Sequence, residues 1–145
     1  HNLADKHETH VAVALRAIRA MRRLAPEHRP KKVYGCEVWR GLDWMDDADK
    51  IALDVSGNDD LALSLISAHE SQVAGGKRYD LASLGRRRAN ATYFAAHDTD
   101  KSDMIIYAMD LTPLVTDPSL DIPAFISGHL NRFSGDVARK LAILS

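Results

Sequence analysis

Apolar residues recur along this chain with two different periods, and the change of period marks out its elements. Val11, Leu15, Ile18 and Met21, with Ala14 between them, fall every three to four positions, which predicts a first helix over residues 11–24. Arg16, Arg19 and Arg23 turn away from that stripe, and Pro26 and Pro30 end it. The run 33–39, Val-Tyr-Gly-Cys-Glu-Val-Trp, reads as a strand. A shorter strand is expected over 51–55, after an acidic connector over 43–50. Ser56-Gly57-Asn58 makes a turn, and Asn58 or Asp59 then caps a helix reaching about residue 72, with Leu61, Leu65 and Ala68 facing inward. A glycine-bearing loop over 74–79 breaks it. Another helix is expected over 81–96, then a polar loop over 97–103 and a strand over 104–109. Asp121 before Ile122-Pro123 starts the last helix with proline at its first helical position, striped by Ile122, Ile126, Phe133, Val137 and Leu141.

The order helix, strand, strand, helix, helix, strand, helix carries no repeat, low-complexity segment or evident linker. It predicts one layered α/β domain over 1–145. A chain of 145 residues buries roughly 70% of its unfolded surface, enough for one core. At 46% hydrophobic and 27% charged residues, with a formal net charge of −1, the composition is that of an ordinary globular protein. Near-neutral charge gives no basis for binding nucleic acid or a membrane surface. The clusters Arg19, Arg22, Arg23 and Arg86, Arg87, Arg88 fall on helical patterns and read as solvated faces. Cys36 is the single cysteine, which excludes an internal disulfide; inside an apolar run it reads as a buried structural thiol. No apolar stretch approaches the roughly 20 residues that span a bilayer, and no signal-peptide pattern is present. The expected location is the cytoplasm.

Candidate chemistry is concentrated at the start of the chain. His7 and His10 stand three apart at the mouth and first turn of the first helix, a spacing that makes their rings neighbours. Neutral imidazole is the commonest metal ligand, but catalytic zinc takes three protein ligands and leaves a position for water or substrate. The pair alone does not close such a site. Thr9 brings a capping hydroxyl to the helix mouth, and Asp5 and Glu8 are candidate acceptors for a ligating imidazole.

The segment His1-Asn2-Leu3-Ala4-Asp5-Lys6-His7-Glu8-Thr9-His10-Val11-Ala12-Val13-Ala14 resembles the second metal motif of the PIG-L/LmbE-like zinc N-deacetylases, among them the N-acetylglucosaminyl-phosphatidylinositol de-N-acetylases. Cys36-Glu37-Val38-Trp39 and Ala68-His69-Glu70-Ser71-Gln72 are similar to two further family segments. The resemblance implies a Rossmann-like layered sheet with flanking helices. It also implies that the N-terminal strands of that fold are missing, because the family's Ala-His-Pro-Asp-Asp-Glu motif, source of two metal ligands and the general base, is not in this sequence. By position, His10 matches a zinc (or other divalent metal) ligand. His7 matches the catalytic histidine that stabilises the oxyanion or protonates the leaving amine.

The activity implied by the resemblance is that of a metal-dependent N-deacetylase acting on an N-acetyl sugar conjugate. Asn2 and Asp5 are the candidate substrate-binding residues, although Asn2 at a strand end serves equally to bind backbone. Thr9 stands where the family has an aspartate directly before the ligating histidine. Orientation of His10 then falls to Asp5, to Glu8 or to a group upstream. The alternative is a non-catalytic α/β binding or assembly module derived from the same fold. The expected assembly is a homo-oligomer, or association with the missing N-terminal half.

Other residues carry weaker signals. His69 reads as a helix-packing or supporting residue, the group His97, Asp98 and Asp100 as a polar loop, and His28 and His129 as incidental. Trp39 and Trp44 are candidates to stack on a sugar ring, with the strand position of Trp39 placing it in the core and Trp44 left open. Lys77, Arg78 and Tyr79 beside two glycines read either as an anion or sugar contact or as an ordinary loop.

Overall fold

A computed structural model describes residues 1–37, 39–95 and 97–145. Val38, inside the expected strand, and Ala96, the expected end of the third helix, lie outside the described residues. The fold is mixed α/β. Its helices are α1 (Glu8–Arg22), α2 (Asp59–Ser67), α3 (Tyr79–Tyr93), α4 (Thr112–Thr116) and α5 (Ile122–Leu144). Three strands, β1 (Tyr34–Cys36), β2 (Lys50–Asp54) and β3 (Ile105–Asp110), form a sheet in the order β1-β3-β2. No described helix is long and apolar enough to cross a membrane.

The chain packs as two compact units, residues 1–51 with 108–145 and residues 52–107. In the first unit β1 runs antiparallel to β3, with Tyr34 opposite Asp110, Gly35 opposite Met109 and Cys36 opposite Ala108. Ala14 and Ile18 of α1, Ala108 and Met109 of β3, and Leu114 and Val115 of α4 are buried, and α1 packs on α4. Arg22 locks this arrangement: its guanidinium donates to the Leu114 carbonyl at 2.5 Å and to the Leu120 carbonyl at 2.8 Å. Arg22 therefore departs from the solvated face expected of it, because its donors meet carbonyls left open where α4 ends. Burial pushes the half-buried Cys36 thiol up.

In the second unit α2 packs on α3, and the Val55 amide donates to the Met104 carbonyl at 3.0 Å, an antiparallel contact beyond the ends of β2 and β3. Asn90 on α3 is buried; its amide donates to the Ile105 carbonyl at 3.1 Å, and its own carbonyl accepts from the Tyr107 hydroxyl at 3.0 Å.

Local signals located the helices better than they located the core. Asp121 caps α5 by accepting the Ala124 amide at 2.8 Å, although Ile122 rather than Pro123 is the first helical residue. α2 ends at Ser67, five residues early, and a separate turn covers Glu70–Gln72. Leu61 and Leu65, expected inward, are exposed at 57% and 61%, and Ala62 is the buried residue of that helix. The stripe on α5 departs in the same way: Ile122 is buried, whereas Phe133, Val137 and Leu141 are exposed. A stripe shows which face is apolar, not whether another element covers it.

Candidate metal centre

The site begins with a close approach of the chain start to β1. A Cβ on Gly35 would stand 2.8 Å from Leu111 Cδ1, 2.9 Å from Asn2 Cα and 3.0 Å from the His1 carbonyl oxygen. Only glycine admits the 1–2 segment here. Asn2 is thereby fully buried, at 0% exposure. Its Nδ2 donates to Glu37 Oε2 at 3.1 Å and its Oδ1 accepts the Ala4 amide at 2.7 Å. Glu37, also buried, accepts the Arg40 amide through Oε1 at 3.0 Å. Of the two roles considered for Asn2, the structure shows the backbone-binding one, with both ends of its amide engaged inside the protein.

This anchored segment delivers Asp5 to the mouth of α1. The Asp5 side chain is 1% exposed. Its Oδ1 accepts the His7 amide at 2.9 Å and lies 3.0 Å from His10 Nδ1, while Oδ2 lies 3.7 Å from His1 Nδ1. In the neutral tautomer that donates Nδ1–H to the Asp5 carboxylate, His10 Nε2 carries a lone pair. Asp5 also replaces the expected cap: Thr9 sits inside α1, and no side chain caps the helix at His7. The carboxylate expected to face substrate is instead turned onto two imidazoles. Of the three groups considered for orienting His10, Asp5 is the one found in contact with it.

The rings form a short ladder. His1 stacks on His10 with centroids 3.9 Å apart and planes 9° apart. His7 meets His10 edge-on at 5.1 Å and also meets Trp39 edge-on at 5.1 Å. His1, Asp5 and His10 each offer a ligand atom, all within 4.8 Å of one another, and they are the group of this kind among the described residues. His97, Asp98 and Asp100 form no such group among the described residues. His1 escaped the sequence reading because nine residues separate it from His10, a distance with no periodic meaning; the glycine in the apolar run 33–39 was the available signal.

The remaining candidates stand elsewhere. His69 is exposed at the head of the Glu70–Gln72 turn, rather than buried against a helix as expected. Arg78 pairs with Asp80, its Nε at 3.0 Å from Oδ1 and its Nη2 at 2.7 Å from Oδ2; that bond holds the carboxyl below and the guanidinium above their usual ranges. Trp39, expected in the core, is 39% exposed. His129, set aside as incidental, is buried: Arg132 Nη2 approaches its Nδ1 at 2.7 Å, and Asp49 Oδ2 lies 3.4 Å away.

No protein-family model matches the chain, and comparisons with curated proteins and with solved structures give no match either.

Proposed function

We propose that this chain carries part of the active site of a zinc-dependent hydrolase that removes the acetyl group from an N-acetylglucosamine-type sugar conjugate in the cytoplasm. The observation that carries this reading is the buried Asp5 carboxylate holding His10, with Nε2 left for a cation. A carboxylate behind a ligating imidazole fixes its tautomer and raises its basicity. The nearly parallel His1 and His10 rings aim their in-plane lone pairs side by side rather than at one point. His10 Nε2 is accordingly the assigned ligand atom, and Asp5 the group that positions it.

A bound zinc ion supplies a water of pKa about 7 and polarises an acyl oxygen. His7, exposed and edge-on to His10, is placed to donate a hydrogen bond to the oxyanion or a proton to the departing amine, help of a kind worth about 10²–10⁴-fold. The reading assigns the base and two more ligands to an Ala-His-Pro-Asp-Asp-Glu motif, which these 145 residues do not contain. The fold proposed with it is a Rossmann-like layered sheet of which β1–β3 are a portion.

Calorimetric titration of the 145-residue chain with zinc tests the cation site. Zinc binding, weak where two of the three ligands are absent, that His10→Ala abolishes supports it, and binding unchanged in His10→Ala overturns it. Acetate release from N-acetylglucosamine conjugates, by protein that carries an Ala-His-Pro-Asp-Asp-Glu motif beside these residues, tests the reaction.

A second reading, an assembly module, is favoured by α5. From Leu130 onward this helix exposes Leu130, Phe133, Val137, Leu141, Ile143 and Leu144. A contiguous apolar face of that kind marks an association surface. Phe133→Lys converting a homo-oligomer to monomer in light scattering would support this reading; a wild-type chain monomeric at high concentration would remove it.

A further inference from the structure

We infer that Trp39 is a binding platform for the pyranose ring of the substrate, set two ring contacts away from His10. The choice of a sugar rests on the hydrolase reading above; the platform itself rests on geometry. Trp39 follows β1 and Glu37, whose carboxylate is tied to Asn2, so the same buried pair that anchors the chain start also anchors the approach to the indole. The ring meets His7 edge-on at 5.1 Å, and Trp39 as a residue is 39% exposed. A large aromatic left part-exposed beside a metal-capable cluster is poorly explained by packing, since burying it would contribute more to stability.

The electrostatics say what the ring accepts. Lys6 Nζ lies over the indole, 5.2 Å from its centroid, so that face already attracts a positively polarised group. The axial C–H groups of a pyranose carry the same polarity and add an apolar surface that fits an indole. A sugar seated there displaces the exposed Lys6 ammonium from the ring toward its hydroxyls, and places its acetamido substituent toward His7 and His10. His7 is thus shared: its ring contacts both His10 of the cluster and Trp39 of the platform.

The test uses the ¹⁵N-labelled 145-residue chain in excess EDTA, titrated with methyl N-acetyl-β-glucosaminide. The two indole N–H signals are assigned with Trp39→Phe. The expected result is a shift of the Trp39 signal with the Trp44 signal unmoved. Trp39→Ala weakens binding up to about tenfold, and Trp39→Phe stays within about threefold of wild type. A Trp39 signal that stays in place throughout the titration, or Trp39→Ala binding as wild type does, overturns the platform; the first readout needs no variant to fold. Sugar binding by a chain whose zinc binding is unchanged in His10→Ala would leave the platform standing and remove the hydrolase reading. Zinc binding with an unmoved Trp39 signal would do the reverse.

Discussion

Asp5 Oδ1 and His10 Nδ1 lie 3.0 Å apart, and the same oxygen accepts the His7 amide at 2.9 Å. One carboxylate oxygen therefore both shapes the entry to α1 and orients the imidazole one turn further on. These two jobs separate by substitution. Asp5→Asn keeps an oxygen for the His7 amide but loses the charge; zinc affinity should fall about 10–100-fold while the melting temperature changes little. Asp5→Ala loses both, adding a stability loss of about 1–2 kcal/mol in urea denaturation. Equal zinc affinities for wild type and Asp5→Asn would remove Asp5 from the site.

Gly35→Ala should disturb the centre from a distance. Two of the three close atoms, Asn2 Cα and the His1 carbonyl oxygen, are backbone and cannot swing aside as a side chain does. We expect a loss of about 1–3 kcal/mol, the range for overpacking, together with weaker zinc binding as the 1–5 segment moves. Calorimetry and denaturation on the one variant check both.

Asn2 and Glu37 form a buried pair whose members are not equivalent. Asn2→Ala strips Glu37 Oε2 of its donor and should cost about 1–3 kcal/mol, the penalty for an orphaned buried acceptor. Asn2→Asp is worse at neutral pH, because it sets a second carboxylate against the first; one of the two must then hold a proton. Its stability should recover on acidification by more than that of Asn2→Ala, which leaves a single carboxylate there. Denaturation midpoints at pH 5 and pH 7.5 distinguish the two variants.

His129 gives the fold a pH dependence of known sign. Burial first, and the Arg132 guanidinium second, lower its pKa below the ordinary value of 6.5, with Asp49 opposing them. The unfolded chain then binds the proton more readily than the folded one. Stability is complete above about pH 6.5, falls as the pH drops through that value, and levels off below the folded-state pKa. His129→Gln should flatten this part of the curve. The check is the wild-type-minus-variant unfolding free energy between pH 5 and pH 8; an unchanged slope would show that the ring titrates as a free histidine.

Much of the fold was legible because its signals are local. The three-to-four spacing of Val11, Leu15 and Ile18 reports α1, Asp121 reports the start of α5, and the apolar run 104–109 reports β3. The candidate site was half legible. His7 and His10 stand in one short motif, and Asp5 was among three groups considered for orienting His10. His1 and Glu37 carry no local mark. Glu37 meets Asn2 across 35 positions, and His1 reaches His10 only because Gly35 lets the chain pass. Leu61, Leu65 and Trp39 failed in the other direction, apolar by residue type yet left exposed.

By itself the sequence determined where helices and strands form, since periodicity, caps and turn residues act within a few positions of the chain. The tertiary structure alone decided which apolar faces are covered, which imidazoles share the Asp5 carboxylate, and that Trp39 stands at the rim. The reason is physical: burial and ligand geometry depend on the separation of side chains in space, and residues far apart along the chain set that separation only once the backbone has closed around them.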